Sequence, residues 1–173
     1  IAVDIGDTHA CALASDGGLV CWGSNAQGQA TPPPGASNNI AIAVGERHTC
    51  SLREDGVVFC WGDDSTGQRA APSGRFTAIA AGATHNCARA VDGTMSCWGG
   101  NNLYGQIDPP RLRSAAVSVG GNGSTACTID LFTAHADPSC VGDPGALRPP
   151  STPLYALSLG DSSGCGILRD FGV

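Results

Sequence analysis

The sequence predicts an all-β chain folded as part of a β-propeller, and three observations predict it. A block of about 40 residues recurs along the chain. Each block reads as short strands separated by Gly- and Pro-bearing turns, and in successive blocks a pair of cysteines sits symmetrically about the same turn. A unit of that size made of short strands cannot bury its apolar face alone, so units must stack, and radial closure into blades is the usual solution.

Composition agrees. The 173 residues include 25 glycines and 11 prolines and are only 14% charged, which suits many turns and short strands and argues against long helices. The net charge of −6, with nine basic residues and no Lys/Arg cluster, offers no track for a phosphate backbone, so nucleic acid is not an expected partner. No stretch approaches the roughly 18 apolar residues of a membrane helix. Nine cysteines beside a single Met are a heavy loading that points to an oxidising compartment or to metal.

Taken in order, each block opens with an apolar run that reads as a buried strand entering a blade: residues 1–5, 40–44, 76–81, 115–119 and 154–159. A glycine and two or three small or polar residues lead to a second strand in Gly6-Asp7-Thr8-His9-Ala10-Cys11, Gly45-Glu46-Arg47-His48-Thr49-Cys50 and Gly82-Ala83-Thr84-His85-Asn86-Cys87. Degenerate copies end in Ser124-Thr125-Ala126-Cys127 and Gly160-Asp161-Ser162-Ser163-Gly164-Cys165. Asp16-Gly17, Asp55-Gly56 and Asp92-Gly93 are hairpin signals. They lead to third strands ending Cys21-Trp22-Gly23, Cys60-Trp61-Gly62 and Cys97-Trp98-Gly99, after which come Gly28-Gln29, Gly67-Gln68 and Gly105-Gln106. Connectors bearing Pro32 to Pro34, Pro72, and Pro109 with Pro110 then reach the next block. The expected blades are residues 1–39, 40–75, 76–113 and 114–152, with a partial one at 153–173.

The two cysteines of each clear block lie five residues either side of Asp16, Asp55 or Asp92. That places them opposite one another on antiparallel strands, where Cα atoms are roughly 4.5–5.5 Å apart, within disulfide range. The expected pairs are Cys11–Cys21, Cys50–Cys60, Cys87–Cys97 and, across a longer tip, Cys127–Cys140. Cys165 is left over, and the same arithmetic puts its partner about ten residues on. Zinc is the competing reading, but there is no Cys-x-x-Cys, and His9, His48 and His85 each stand two residues before a cysteine without a second pair at tetrahedral spacing. No metal or other cofactor is expected.

Other recurring residues have structural readings. His9, His48 and His85 could ring a central channel, but each is expected to pack or hydrogen-bond within its own turn. Trp22, Trp61 and Trp98 are expected to cover the apolar space between blades, and Gln29, Gln68 and Gln106 to tie a loop to nearby backbone through their amides. Asn122-Gly123-Ser124 is a glycosylation acceptor in a secreted chain. Ser/His/Asp, Cys/His and paired-carboxylate combinations occur only among residues the repeat already explains, plus His135 with Asp130 and Asp137 in one irregular loop, so catalysis is not expected.

Gly45 through Leu52, Asp55-Gly56 and Cys60-Trp61-Gly62 through Gly67-Gln68 closely resemble the regulator-of-chromosome-condensation repeat, strongly over residues 1–110 and weakly after. The resemblance implies a propeller, commonly of seven blades, of which this chain supplies four and a fragment. The paired cysteines look less like the nuclear exchange-factor members than like secreted bacterial repeats and the crinkly-type ectodomains of plant receptor kinases, to which Cys165-Gly166-Ile167-Leu168 is similar. The fourth block departs from the pattern, with Val141 in place of Trp and Pro144-Gly145-Ala146 in place of Gly-Gln. The expected function is that of an extracellular or cell-surface scaffold that contacts a protein partner, further copies of itself or the remaining blades of the same propeller. A secreted inhibitor or ligand-binding propeller, hinted at by Tyr104 and Phe132, and a nuclear GTPase exchange factor are the alternatives.

Overall fold

The computed structural model describes residues 2–109, 113–120, 125–130, 138–143, 154–159 and 164–168. Among them every regular element is a strand. The first sheet contains β1 (Ala2–Ile5), β2 (His9–Leu13) and β3 (Leu19–Gly23). The second contains β4 (Asn39–Val44), β5 (His48–Arg53) and β6 (Val58–Gly62), and the third β7 (Phe76–Ala81), β8 (His85–Ala90) and β9 (Met95–Gly99). The fourth is β10 (Ser114–Val119), β11 (Thr125–Asp130) and β12 (Pro138–Gly142), and a two-stranded sheet joins β13 (Leu154–Leu159) to β14 (Gly164–Leu168). Each sheet is an antiparallel meander in chain order, so the chain is a series of propeller blades.

The hairpins follow from the Asp-Gly steps. Oδ1 of Asp16, Asp55 and Asp92 accepts the N–H two residues on, at 2.9, 3.1 and 3.0 Å. Gly17, Gly56 and Gly93 hold φ of 79°, 83° and 86°, the left-handed region that glycine enters without a Cβ penalty. The carbonyls of these glycines then accept the backbone N–H of Asn39, Phe76 and Ser114 at 3.2, 2.8 and 2.8 Å. Each hairpin tip is thereby tied to the start of the next blade's inner strand. Those strands open with a bulge, between Asn39 and Ala41, Phe76 and Ala78, and Ser114 and Ala116.

Register places Cys11 opposite Cys21, Cys50 opposite Cys60, Cys87 opposite Cys97 and Cys127 opposite Cys140. The four pairs are disulfides, with Cα atoms 4.0–4.1 Å apart. Cys165 is exposed and lies opposite Ser158 on β13. Cys11, Cys50, Cys87 and Cys127 are at most 1% exposed. The apolar core lies between blades: Leu52 and Val58 of the second pack with Phe76, Ala88 and Trp98 of the third, and Cys87 of the third with Val119 and Ala126 of the fourth.

Candidate functional site

A repeated joint links the first blade to the second and the second to the third. Thr49 Oγ1 gives its hydrogen to the Gln29 carbonyl at 2.9 Å, so its lone pair receives the His9 Nε2–H at 2.8 Å. Trp61 Nε1–H donates to the same carbonyl at 2.9 Å. One blade on, Asn86 Nδ2 donates to the Gln68 carbonyl at 3.0 Å, its Oδ1 faces His48 Nε2 at 2.8 Å, and Trp98 Nε1–H donates to Gln68 O at 2.9 Å. His9 and His48 therefore direct Nε2 to the next blade, while the His48 ring also packs against Gly45 of its own turn. The loop-tying role falls to the glutamine side chains: Oε1 of Gln29, Gln68 and Gln106 accepts the backbone N–H of Gln27, Thr66 and Tyr104 at 2.9, 2.8 and 3.0 Å. Trp61 and Trp98 are buried between blades, whereas Trp22 stands half exposed.

Sequence reasoning missed three sets of residues. Thr49 and Asn86 carry the joint but differ in type, so no single letter recurs between the His and the Cys. Asn25, Asp64 and Asn102 each take a backbone N–H five residues on through Oδ1, from Ala30, Arg69 and Ile107, at 2.9, 2.9 and 3.1 Å. Their common place three residues before Gly28, Gly67 and Gly105 was the available signal. The third set is a collar of glycines. A Cβ on Gly6 would lie 2.1 Å from the Gly45 carbonyl oxygen, one on Gly45 2.6 Å from that of Gly82, and one on Gly82 2.5 Å from that of Gly120. Backbone touches backbone from blade to blade, which only glycine permits.

The inner strands of all five sheets converge on one channel, whose walls include Asp4, Ala43, Ala80, Ser118 and Ser158, residues at one shared register. Asp4 Oδ2 accepts the Val44 N–H of the next inner strand at 2.7 Å, and Ser118 Oγ does the same for Leu159 at 3.0 Å. At the mouth a cleft of about 280 Å³ is bordered by the glycine collar with Asp7 and Glu46. The turns at residues 25–31, 64–70 and 102–108 lie at this same end, because the Ser24 and Asp63 N–H groups bond to the carbonyls of Thr8 and Arg47 at 2.8 and 2.9 Å. At these tips Leu103 and Tyr104 are 76% and 52% exposed, where the other blades have Ala26-Gln27 and Ser65-Thr66. No group of three His, Cys, Asp or Glu side chains able to hold a metal occurs among the described residues. Asn122, Phe132 and His135 lie outside them.

Burial lowers the pKa of His48, with the Asn86 bond opposing, and burial likewise lowers that of His9. The physical reason is visible: Nε2 already donates, and Nδ1 of each ring is buried without an acceptor, so a second proton would be stranded. The unfolded chain takes up that proton below the ordinary value of 6.5 while the folded chain resists it. Stability is therefore full above pH 6.5 and declines as the pH falls toward the folded values. Melting temperature is expected to drop between pH 7 and 5, and the His9→Gln/His48→Gln variant to show a shallower drop.

Asp4 has the opposite sign. Burial raises its pKa, against the bonds from Val44 and Ile5 and the field of His9, so its ionised form costs stability above the ordinary 3.8. Asp4→Asn keeps an acceptor for Val44 without the charge. Its melting temperature is expected to exceed the parent's at neutral pH, and the gain to fade as the pH falls through the raised folded value toward 3.8.

The sequence model of the Regulator of chromosome condensation (RCC1) repeat matches residues 1–29, 40–68 and 76–106. This chain belongs to that family. Each matched segment of this RCC1-repeat protein ends on its glutamine, so one match holds one blade's three strands and, at Gln29 and Gln68, the carbonyl that accepts the next blade. No curated protein matches the chain. Among solved structures, the CRINKLY WD40 ectodomain of the Arabidopsis thaliana receptor kinase ACR4 is 27% identical with a TM-score of 0.77, over 96% of this chain and 61% of that one. The ectodomain of the Physcomitrella patens receptor kinase CR4 is 28% identical with a TM-score of 0.80, over 95% of this chain and 48% of that one. Prp20p of Saccharomyces cerevisiae, 16% identical with a TM-score of 0.77 over 98% of this chain and 56% of that one, shares the fold. The chain thus spans about half to three fifths of the length of these structures.

Proposed function

We propose that this RCC1-repeat protein is an extracellular or cell-surface scaffold that recognises a protein partner through the turns at its channel mouth. The observation that carries the reading is the disulfide repeated at one register in each of the four three-stranded sheets. Such sets persist where the surroundings are oxidising and are rare where thiols are kept reduced. Similarity to two receptor-kinase ectodomains supports the same compartment. Recognition is assigned to the mouth because the joints and collar are used up in holding blades together, whereas the tips differ from blade to blade and Leu103 with Tyr104 projects from one of them. Exposed apolar and aromatic groups on a rigid frame are what protein contacts use.

Non-reducing peptide mapping of the natural protein tests the compartment. Four cross-strand disulfides, with a glycan on Asn122, support it, and freely alkylated thiols would transfer the chain to the nuclear exchange-factor reading. Binding to an array of extracellular proteins tests the surface. Leu103→Asp/Tyr104→Ser is expected to lower affinity at least tenfold, with melting temperature unchanged. Equal loss from a variant at the opposite end, Asp16→Ala, would place recognition elsewhere.

A further inference from the structure

We propose that the channel between the inner strands binds a small polyol, a monosaccharide or cyclitol, whose hydroxyl oxygens accept the backbone N–H groups of Ala81 and Val119. On each inner strand the residue opposite the buried cysteine stands beside the next inner strand: Asp4, Ala43, Ala80 and Ser118. Asp4 Oδ2 accepts the Val44 N–H at 2.7 Å, and Ser118 Oγ accepts that of Leu159 at 3.0 Å. Ala81 and Val119 hold the register of Val44 and Leu159, opposite Asn86 and Ala126 as those are opposite Thr49 and Gly164. Their N–H groups therefore also point away from the middle strand and toward the channel. Ala43 and Ala80, which take the places of Asp4 and Ser118 beside them, carry no oxygen to meet these donors.

Both residues line a cavity of about 330 Å³ together with Asp4 and Ser158, a size within the range of small-molecule sites. Two N–H donors on neighbouring strands call for a ligand that brings two acceptors, and they give a cation nothing to bind. An anion meets the Asp4 carboxylate, and no arginine lines the cavity to offset that repulsion. A hydroxyl suits both sides, because its oxygen accepts an N–H while its hydrogen goes to a carboxylate. Asp4 has lone pairs for it beyond those taken by Val44 and Ile5. Burial raises the Asp4 pKa, so its ionised form is short of donors and gains from one more. A peptide carbonyl would accept the N–H groups but leave Asp4 without that donor. A hydroxylated ring offers several such groups on one rigid frame, and the small side chains of Ala43 and Ala80 leave it room.

The test titrates the nitrogen-15-labelled chain with D-glucose, D-galactose and myo-inositol in turn and follows the assigned backbone amides by NMR. With at least one of these probes the Ala81 and Val119 signals are expected to shift saturably, while those of Gly17 and Gly56 at the hairpin tips stay in place. Ala43→Ser/Ala80→Ser supplies the hydroxyls that Ser118 already has, so the N–H groups are met from within the chain. That variant is expected to keep or raise the melting temperature and to weaken binding about tenfold or more. Ala80→Ser alone, at the less buried of the two positions, is read the same way should the double variant fail to fold. The proposal is overturned if neither amide shifts saturably with any of the three probes, or if the shifts persist at full affinity in a folded serine variant. Saturable shifts with acetate and none with the polyols overturn it as well, because the bound group would then be a carboxylate.

Discussion

Gly45→Ala is expected to destabilise this RCC1-repeat protein by about 3 kcal/mol or more, lowering the melting temperature by roughly 6–12 °C or preventing folding. The added methyl would lie 2.3 Å from His48 Cε1, 2.6 Å from Nδ1 and 2.6 Å from the Gly82 carbonyl oxygen. Neither neighbour can give way easily. His48 is fully buried and bound to Asn86 Oδ1, and Gly82 O belongs to the backbone of the third blade. Relief requires the second and third blades to part, which breaks the joint at Gln68. Gly28→Ala is the contrast: nothing lies within 4 Å of its added Cβ, and its cost comes only from a φ of 80°, about 1–2 kcal/mol. Thermal unfolding of both variants checks the reading, and equal melting temperatures would rule out the collar as a packing constraint.

Trp98→Ala is expected to cost about 3–5 kcal/mol, and Trp22→Ala less than about 0.5 kcal/mol in the same chain. The two residues have the same sequence surroundings, Cys-Trp-Gly. Trp98 fills the core between the second and third blades with Leu52, Val58 and Phe76, whereas Trp22 is half exposed. Trp98→Phe separates packing from hydrogen bonding. The Gln68 carbonyl keeps its Asn86 donor at 3.0 Å, so loss of the indole N–H is expected to cost only about 1 kcal/mol beyond the volume change. Chemical denaturation of the three variants measures the differences. A Trp22→Ala effect as large as that of Trp98→Ala would mean that the first blade's outer side is already covered.

Much of the architecture was readable because it rests on local chemistry repeated along the chain. Asp16-Gly17, Asp55-Gly56 and Asp92-Gly93 form hairpins through contacts spanning only two residues, and such turns fix strand register. Once the hairpin is known, Cys50 must face Cys60. The hydrogen-bond partners of the histidines were not legible for the opposite reason. The partner of His48 is Asn86, 38 residues away on another sheet, and nothing within the Gly-to-Cys strand distinguishes a ring bonded to its own turn from one bonded to the neighbouring blade. Thr49 and Asn86 were invisible for a related reason: a hydroxyl and an amide do the same work there, so the requirement is for a group that donates to a carbonyl and also accepts from a histidine.

The sequence by itself determined the strands, the turns, the register of each hairpin and therefore which cysteines oppose one another, because all of these depend on interactions within about ten residues. It also set the period at which blades follow one another. Only the tertiary structure decided what the repeated residues do. It made the Gln29 and Gln68 carbonyls the acceptors for the next blade, turned Gly6, Gly45 and Gly82 into a backbone collar, and left Trp22 exposed where Trp61 and Trp98 are buried. The physical reason is that a blade's apolar faces and side-chain donors are satisfied by its neighbours, so identical residues acquire different roles according to which blade stands beside them.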